Sequence, residues 1–290
     1  MELFSYWDWQ LYGIVMSMIC AILTIAVYIY VKKLRNTLGK CVISCLFSLA
    51  IVHFLEILEW FGLLEIYSFL GKGMFIFGIA YMIWHPVIGY HLWRTLNPLK
   101  RDEHRHQFLV YSSFVWIMTA GYAGLFFLKE HVVWRYVIAC FLLLWLQIQG
   151  IFNIIMFILT VINIWKVKRE IKRFERQKET TTTCFNFDTE TYVVFFRISL
   201  LMGVTWIVFT IFSTLDLFGY TSDALEKFLN FVPYCLGLLY FVLLILKRST
   251  LKLFMDSIRE RRNEKLVRAQ MKKDLAQISI HFQRKNKVDL

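Results

Sequence analysis

Residues 11–31 read LYGIVMSMICAILTIAVYIYV, and KKLRN follows at 32–36. A run of this length carries no charge, and at about 1.5 Å rise per residue it reaches about 31 Å, the thickness of a bilayer's hydrocarbon core. It is too long for the apolar region of a signal peptide. No basic stretch precedes it, and it ends on Lys32, Lys33 and Arg35 rather than on a small-residue cleavage site. It therefore reads as a membrane span, and the rest of the chain has to be consistent with that.

Six further apolar runs follow, at 41–64, 73–93, 107–128, 136–165, 192–213 and 228–246. The fifth is too long for one untilted span, so 136–140 is expected in an outer loop and the span itself at 141–165. The composition agrees: 58% of the residues are apolar and only 19% charged, against about 45–50% and roughly 25% in a water-soluble domain. Three prolines, 13 glycines and six cysteines in 290 residues exclude a collagen, a low-complexity linker and a disulfide scaffold.

The net charge of +12 could suggest nucleic acid, but its distribution argues otherwise. With the N-terminus outside, 28 of the 33 Lys and Arg residues fall in the inner segments 32–40, 94–106, 166–191 and 247–290. Only Lys72, Lys129, Arg135 and Lys227 fall outside. This asymmetry is the positive-inside pattern, and it predicts a multi-pass membrane protein with its N-terminus outside and its C-terminus cytoplasmic. Basic residues bordering spans loop by loop contact lipid headgroups, so no nucleic-acid partner is expected.

The outer segments 65–72, 129–135 and 214–227 are short, and no Asn-X-Ser/Thr sequon occurs. Of the cysteines only Cys140 lies near an outer segment, so no loop disulfide is expected. There is no internal repeat, no Gly-rich phosphate loop and no His/Cys grouping with metal-ligand spacing, so neither metal nor cofactor is expected.

Several strings resemble one family. They are Leu23-Thr24-Ile25-Ala26-Val27-Tyr28-Ile29-Tyr30-Val31-Lys32-Lys33-Leu34-Arg35-Asn36 with Gly39-Lys40-Cys41 at the first exit, and His91-Leu92-Trp93 ending the third span. Phe152-Asn153-Ile154 and Met156-Phe157-Ile158-Leu159-Thr160 follow in the fifth, Met202-Gly203-Val204-Thr205-Trp206 in the sixth, and Leu246-Lys247-Arg248-Ser249-Thr250-Leu251 after the seventh. Together they resemble the membrane domain of Methuselah-like G-protein-coupled receptors, which are related to the secretin class. The resemblance runs from Thr24 to Leu253. It implies an all-α membrane protein: a seven-transmembrane helix bundle over 1–246, then a basic cytoplasmic tail over 247–290 with an amphipathic helix. It also implies a heterotrimeric G protein as partner, with a receptor oligomer as a further association. Two features depart from the family: its large ectodomain does not precede the first span, and the cysteine at the outer end of the third span is missing. The chain is accordingly expected to be a fragment, a short isoform or a diverged member.

In the second span His53, Glu56, Glu59 and Trp60 share one helix face. A carboxylate at mid-membrane costs about 2.5–3.5 kcal/mol even on lenient scales, so Glu56 should face the bundle interior, either as a structural hydrogen-bonding group or as a ligand-pocket floor. His85, followed by the helix-kinking Pro86, is its expected polar neighbour and a second pocket candidate. Trp206 is the third, and with Pro233 it lies near the elements that move in the family. Arg197 is expected to snorkel to the headgroups. Inside, Val167, Ile171 and Phe174 form one stripe of a helix continuing to Gln177, ringed by Lys168, Arg169, Lys172 and Arg173, which are the candidate G-protein contacts. That surface would suit anionic lipid equally well. Leu251, Phe254, Met255 and Ile258 then predict an interfacial helix, and Thr180–Thr183 is an exposed run open to a kinase.

Three functions compete. The chain is a receptor that transmits a signal by helix rearrangement, a non-signalling membrane partner of full-length receptors, or a transporter or channel. The last lacks the paired interrupted half-helices of inverted-repeat transporters. An enzyme is not expected, because no nucleophile, base and orienting group stand together in the sequence. The ligand cannot be read from the residues.

Overall fold

In the turn between the first two helices, Gly39 N donates to Asn36 Oδ1 at 2.8 Å, the N-cap bond that starts the second helix. A Cβ at Gly39 would lie 1.8 Å from the Leu34 carbonyl oxygen, so only glycine fits beneath the turn. The computed structural model describes residues 2–63, 69–96, 106–127, 132–177, 196–200, 203, 206–208, 210–211, 214–215, 234–246 and 248–288. The helices are α1 (Glu2–Tyr30), a 3-10 turn (Lys32–Leu34), α2 (Thr37–Trp60), α3 (Phe69–Leu96), α4 (Gln107–Phe127) and α5 (Val132–Gln177). The described residues between 196 and 215 are helical and are denoted α6; α7 is Leu236–Leu244 and α8 is Arg248–Val288. At the C-terminal end of α2, Gly62 adopts φ +66° and its N–H closes on the Glu59 carbonyl, a glycine helix stop.

Among the described residues five helices are long and apolar enough to cross a membrane: Trp9–Tyr30, Thr37–Trp60, Gly71–Thr95, Gln107–Leu125 and Gln147–Lys166. The expected sixth and seventh spans lie partly outside the described residues, as do Pro233 and Thr180–Thr183. One expectation fails. Residues 136–140 belong to α5, which is helical from Val132, and not to a loop. An apolar run longer than one span can simply continue as helix beyond it.

α3 is central, packing against α2, α4 and α5, while α1 packs against α2 and α7. Trp84, Leu46, Ile88, Leu92 and Tyr240 fill the middle. The burial pattern is that of a protein dissolved in lipid: Ile117 and Trp165 are each 70% exposed, whereas His53 and His85 are each 2% exposed. Apolar side chains are stable against hydrocarbon and polar ones are not, so the polar groups turn inward. Thr24, Ser48, Thr119 and Thr160 each donate to the carbonyl one turn back, which satisfies their hydroxyls without another helix.

Candidate functional site

Among the described residues, polar groups at the helix interfaces form three clasps. The first joins α1, α2 and α7. Gly237 N donates to Ser17 Oγ at 2.8 Å, Ser17 Oγ lies 3.0 Å from His53 Nε2, and His53 Nδ1 lies 2.8 Å from Glu56 Oε2. With the Nδ1 proton of a neutral His53 donated to the carboxylate, Nε2 is left to accept the Ser17 hydroxyl, and every group in the chain has a partner. A Cβ on Gly237 would stand 2.1 Å from the Ser17 carbonyl oxygen, so α7 reaches α1 only because residue 237 is glycine.

This order of groups, hydroxyl, imidazole, carboxylate, corrects the expectation that no such set stands together. The arrangement nonetheless has no room for acyl chemistry. Ser17 is fully buried, its Oγ already accepts a backbone N–H, and the backbone of α7 occupies the approach a substrate carbonyl would need. Its geometry is that of a clasp between helices.

The second clasp joins α3, α7 and α6. His85 Nδ1 is 2.8 Å from the Tyr81 carbonyl oxygen, which only accepts, so Nδ1 carries the proton. Nε2 then accepts from the Tyr240 hydroxyl at 3.2 Å, and the Trp206 ring meets the imidazole edge-on with centroids 6.0 Å apart. The third clasp repairs a defect created by Pro86. Proline has no N–H, so the carbonyl four residues back, that of Met82, loses its helical donor. The Gln149 side-chain amide, reaching from α5, donates to it.

α6 is also held by shape and by charge. A Cβ at Gly203 would be 2.5 Å from the Phe157 ring, and one at Gly150 would be 2.5 Å from Thr210 Oγ1, so α5 and α6 meet through two glycines. Arg197 Nη1 donates to the Leu243 carbonyl at 3.2 Å, near the C-terminal end of α7 where a cation is favourable. Between α3, α4 and α5 lies an apolar cavity of about 230 Å³, lined by Phe75, Ile79, Met82, Tyr122, Trp145 and Gln149.

The sequence candidates are thus separated by the structure. His85 and Trp206 do meet. Glu56 and His85 do not form the expected pair, because Glu56 is bound to His53 and His85 to Tyr81 and Tyr240. Helical spacing brings i and i+3 together within α2, and that local partner takes the carboxylate first. Arg169 is exposed on the C-terminal extension of α5, while the side chains of Lys168, Lys172 and Arg173 lie outside the described residues. Ser17, Gly237, Tyr240 and Gln149 were not singled out from sequence. For Gln149 a signal existed: an uncharged amide in an apolar span, opposite a helix with a proline.

A bundle of membrane-length helices closed by inward polar clasps is the architecture of seven-helix receptors. The fold matches squid rhodopsin with a TM-score of 0.60 at 13% sequence identity, covering 90% of this chain and 85% of that one. No family profile matches the chain. It is 36% identical over 269 residues to the probable G-protein coupled receptor Mth-like 7 of Drosophila melanogaster, covering 84% of this chain and 54% of that protein. It is 35% identical to the probable receptor Mth-like 12 of the same fly, covering 83% of this chain and 54% of that protein. It is 32% identical to the receptor Mth of Drosophila yakuba, covering 84% of this chain and 51% of that protein. The chain belongs to the Methuselah-like family. It spans about half the length of the curated relatives it matches.

Proposed function

We propose that the chain is a receptor of the plasma membrane that passes a signal to a heterotrimeric G protein by rearranging α6 against α3, α5 and α7. The observation that carries the reading is the His85 contact, in which one imidazole of α3 touches both Tyr240 of α7 and Trp206 of α6. A ligand that loosened this contact would shift α6, provided it bound the two arrangements with different affinity. The receiving surface is the inner extension of α5, where Lys168, Arg169, Lys172 and Arg173 supply positive charge for an acidic or helical partner. Glu56, in this reading, is part of the scaffold. The proposed chemistry is binding and conformational change, without an enzymatic step and without a cofactor.

Replacing Tyr240 by Phe removes one hydroxyl and keeps the ring. Losing a neutral hydrogen bond weakens the clasp by about 1 kcal/mol, so basal guanine-nucleotide exchange on the coupled G protein should rise about fivefold. Unchanged or reduced exchange would mean that the clasp does not restrain α6. Orientation has its own test. Glycosylation acceptors engineered into 178–191 or into the tail should remain unmodified, and modification of either would reverse the proposed topology.

A further inference from the structure

α8 extends for 41 residues, about 60 Å, far beyond its contacts with the bundle. Its first turns are tied to the inner end of α1. The Phe254 ring packs edge-on against Tyr30 with centroids 5.5 Å apart, and Arg261 stands 4.0 Å over the Tyr30 ring while Nη2 donates to the Tyr30 carbonyl at 3.0 Å. These contacts fix how the helix is rolled about its own axis.

The roll matters because the apolar stripe changes side. At about 100° per residue, Leu251, Phe254, Met255 and Ile258 point in one direction, whereas Val267, Met271 and Leu275 point roughly 150° away from it. If the first stripe lies on the bilayer, as an interfacial helix does, the second faces the opposite way, into water. Val267, Met271 and Leu275 are 60%, 59% and 61% exposed. From Met271 the spacing is i, i+4, i+7 and i+11, the anchor pattern of a helix that seats in a groove.

Charge selects the partner. Between 265 and 288 there are seven Lys and Arg residues against one acid, Asp274, a net +6. A second copy of this helix would bring the same charge against itself and offer only two heptads of seam, short of the three to four a coiled coil sustains. Anionic lipid lies on the wrong side of a helix whose roll is fixed. An acidic groove floored with methionine meets both the charge and the stripe, and EF-hand sensors expose such a groove when calcium binds. We propose that residues 265–288 are the docking helix for a calcium sensor of this kind, so that the tail reads calcium independently of any coupling through α5.

The test uses the full chain in nanodiscs of neutral lipid, with fluorescent calmodulin as the probe. Saturable binding is expected in calcium and its loss, by more than tenfold, in chelator. Met271→Glu with Leu275→Glu should weaken binding at least tenfold, while Met255→Glu on the other stripe should leave it within twofold. Both altered distal positions are exposed, so the variant chain keeps its fold. Absence of saturable binding, binding indifferent to calcium, or binding unchanged by the distal pair overturns the proposal. So does quenching of a fluorophore at residue 271 by brominated lipid, which would place the stripe on the membrane.

Discussion

Gly237→Ala is expected to cost about 3 kcal/mol, at the upper end of overpacking penalties, although it adds one methyl group. The added Cβ would stand 2.1 Å from a backbone oxygen of α1, and backbone cannot rotate aside as a side chain can. α7 must therefore separate from α1, which also breaks the N–H bond from residue 237 to Ser17 Oγ. Thermal unfolding followed with a thiol-reactive dye suits this chain, because Cys20, Cys41 and Cys45 are free and buried. The melting temperature should fall by several degrees. A variant melting with the parent would show that the helices do not approach as described.

His53→Leu should be comparably severe by a different route. It leaves Glu56 without its partner at 2.8 Å and the Ser17 hydroxyl without its acceptor. Leaving a partly buried carboxylate without its donor costs about 3 kcal/mol, at the upper end for an unsatisfied group because the acceptor is charged, although a quarter of Glu56 remains exposed. Adding Glu56→Leu should restore most of the loss, since the damage comes from the stranded carboxylate rather than from the missing imidazole. If the double variant is no more stable than His53→Leu alone, the clasp's cost lies elsewhere.

The helical membrane character and the family were legible in the sequence because lipid imposes one-dimensional rules: span length, charge asymmetry and apolar runs. Pairing across helices is not one-dimensional. His53 and Glu56 are one turn apart and could have been matched within α2, yet the cost of a carboxylate in lipid directed Glu56 to the bundle interior and to His85 on another helix. Depth along the membrane says nothing about azimuth, and azimuth is what placed His85 against Tyr240 and Trp206. Ser17 and Gly237 are small residues in apolar runs, with no pattern that marks them until α1 and α7 are seen to touch. Pro86 does mark a pairing in one dimension, since a missing N–H implies an orphaned carbonyl at Met82 and a donor elsewhere to meet it. Hydropathy measures length in apolar residues and not where a helix starts, so it does not place the start of α5 at Val132.

The central claim, that this chain activates a G protein through the inner end of α5, is tested most directly by guanine-nucleotide exchange in membranes that contain it. Across a panel of G proteins, at least one should exchange nucleotide faster than in membranes lacking the chain. The acceleration should disappear when Lys168, Arg169, Lys172 and Arg173 are replaced by Gln, with the chain still inserted. Acceleration that survives the four substitutions would contradict the assigned surface, and no acceleration with any G protein would contradict the receptor reading itself.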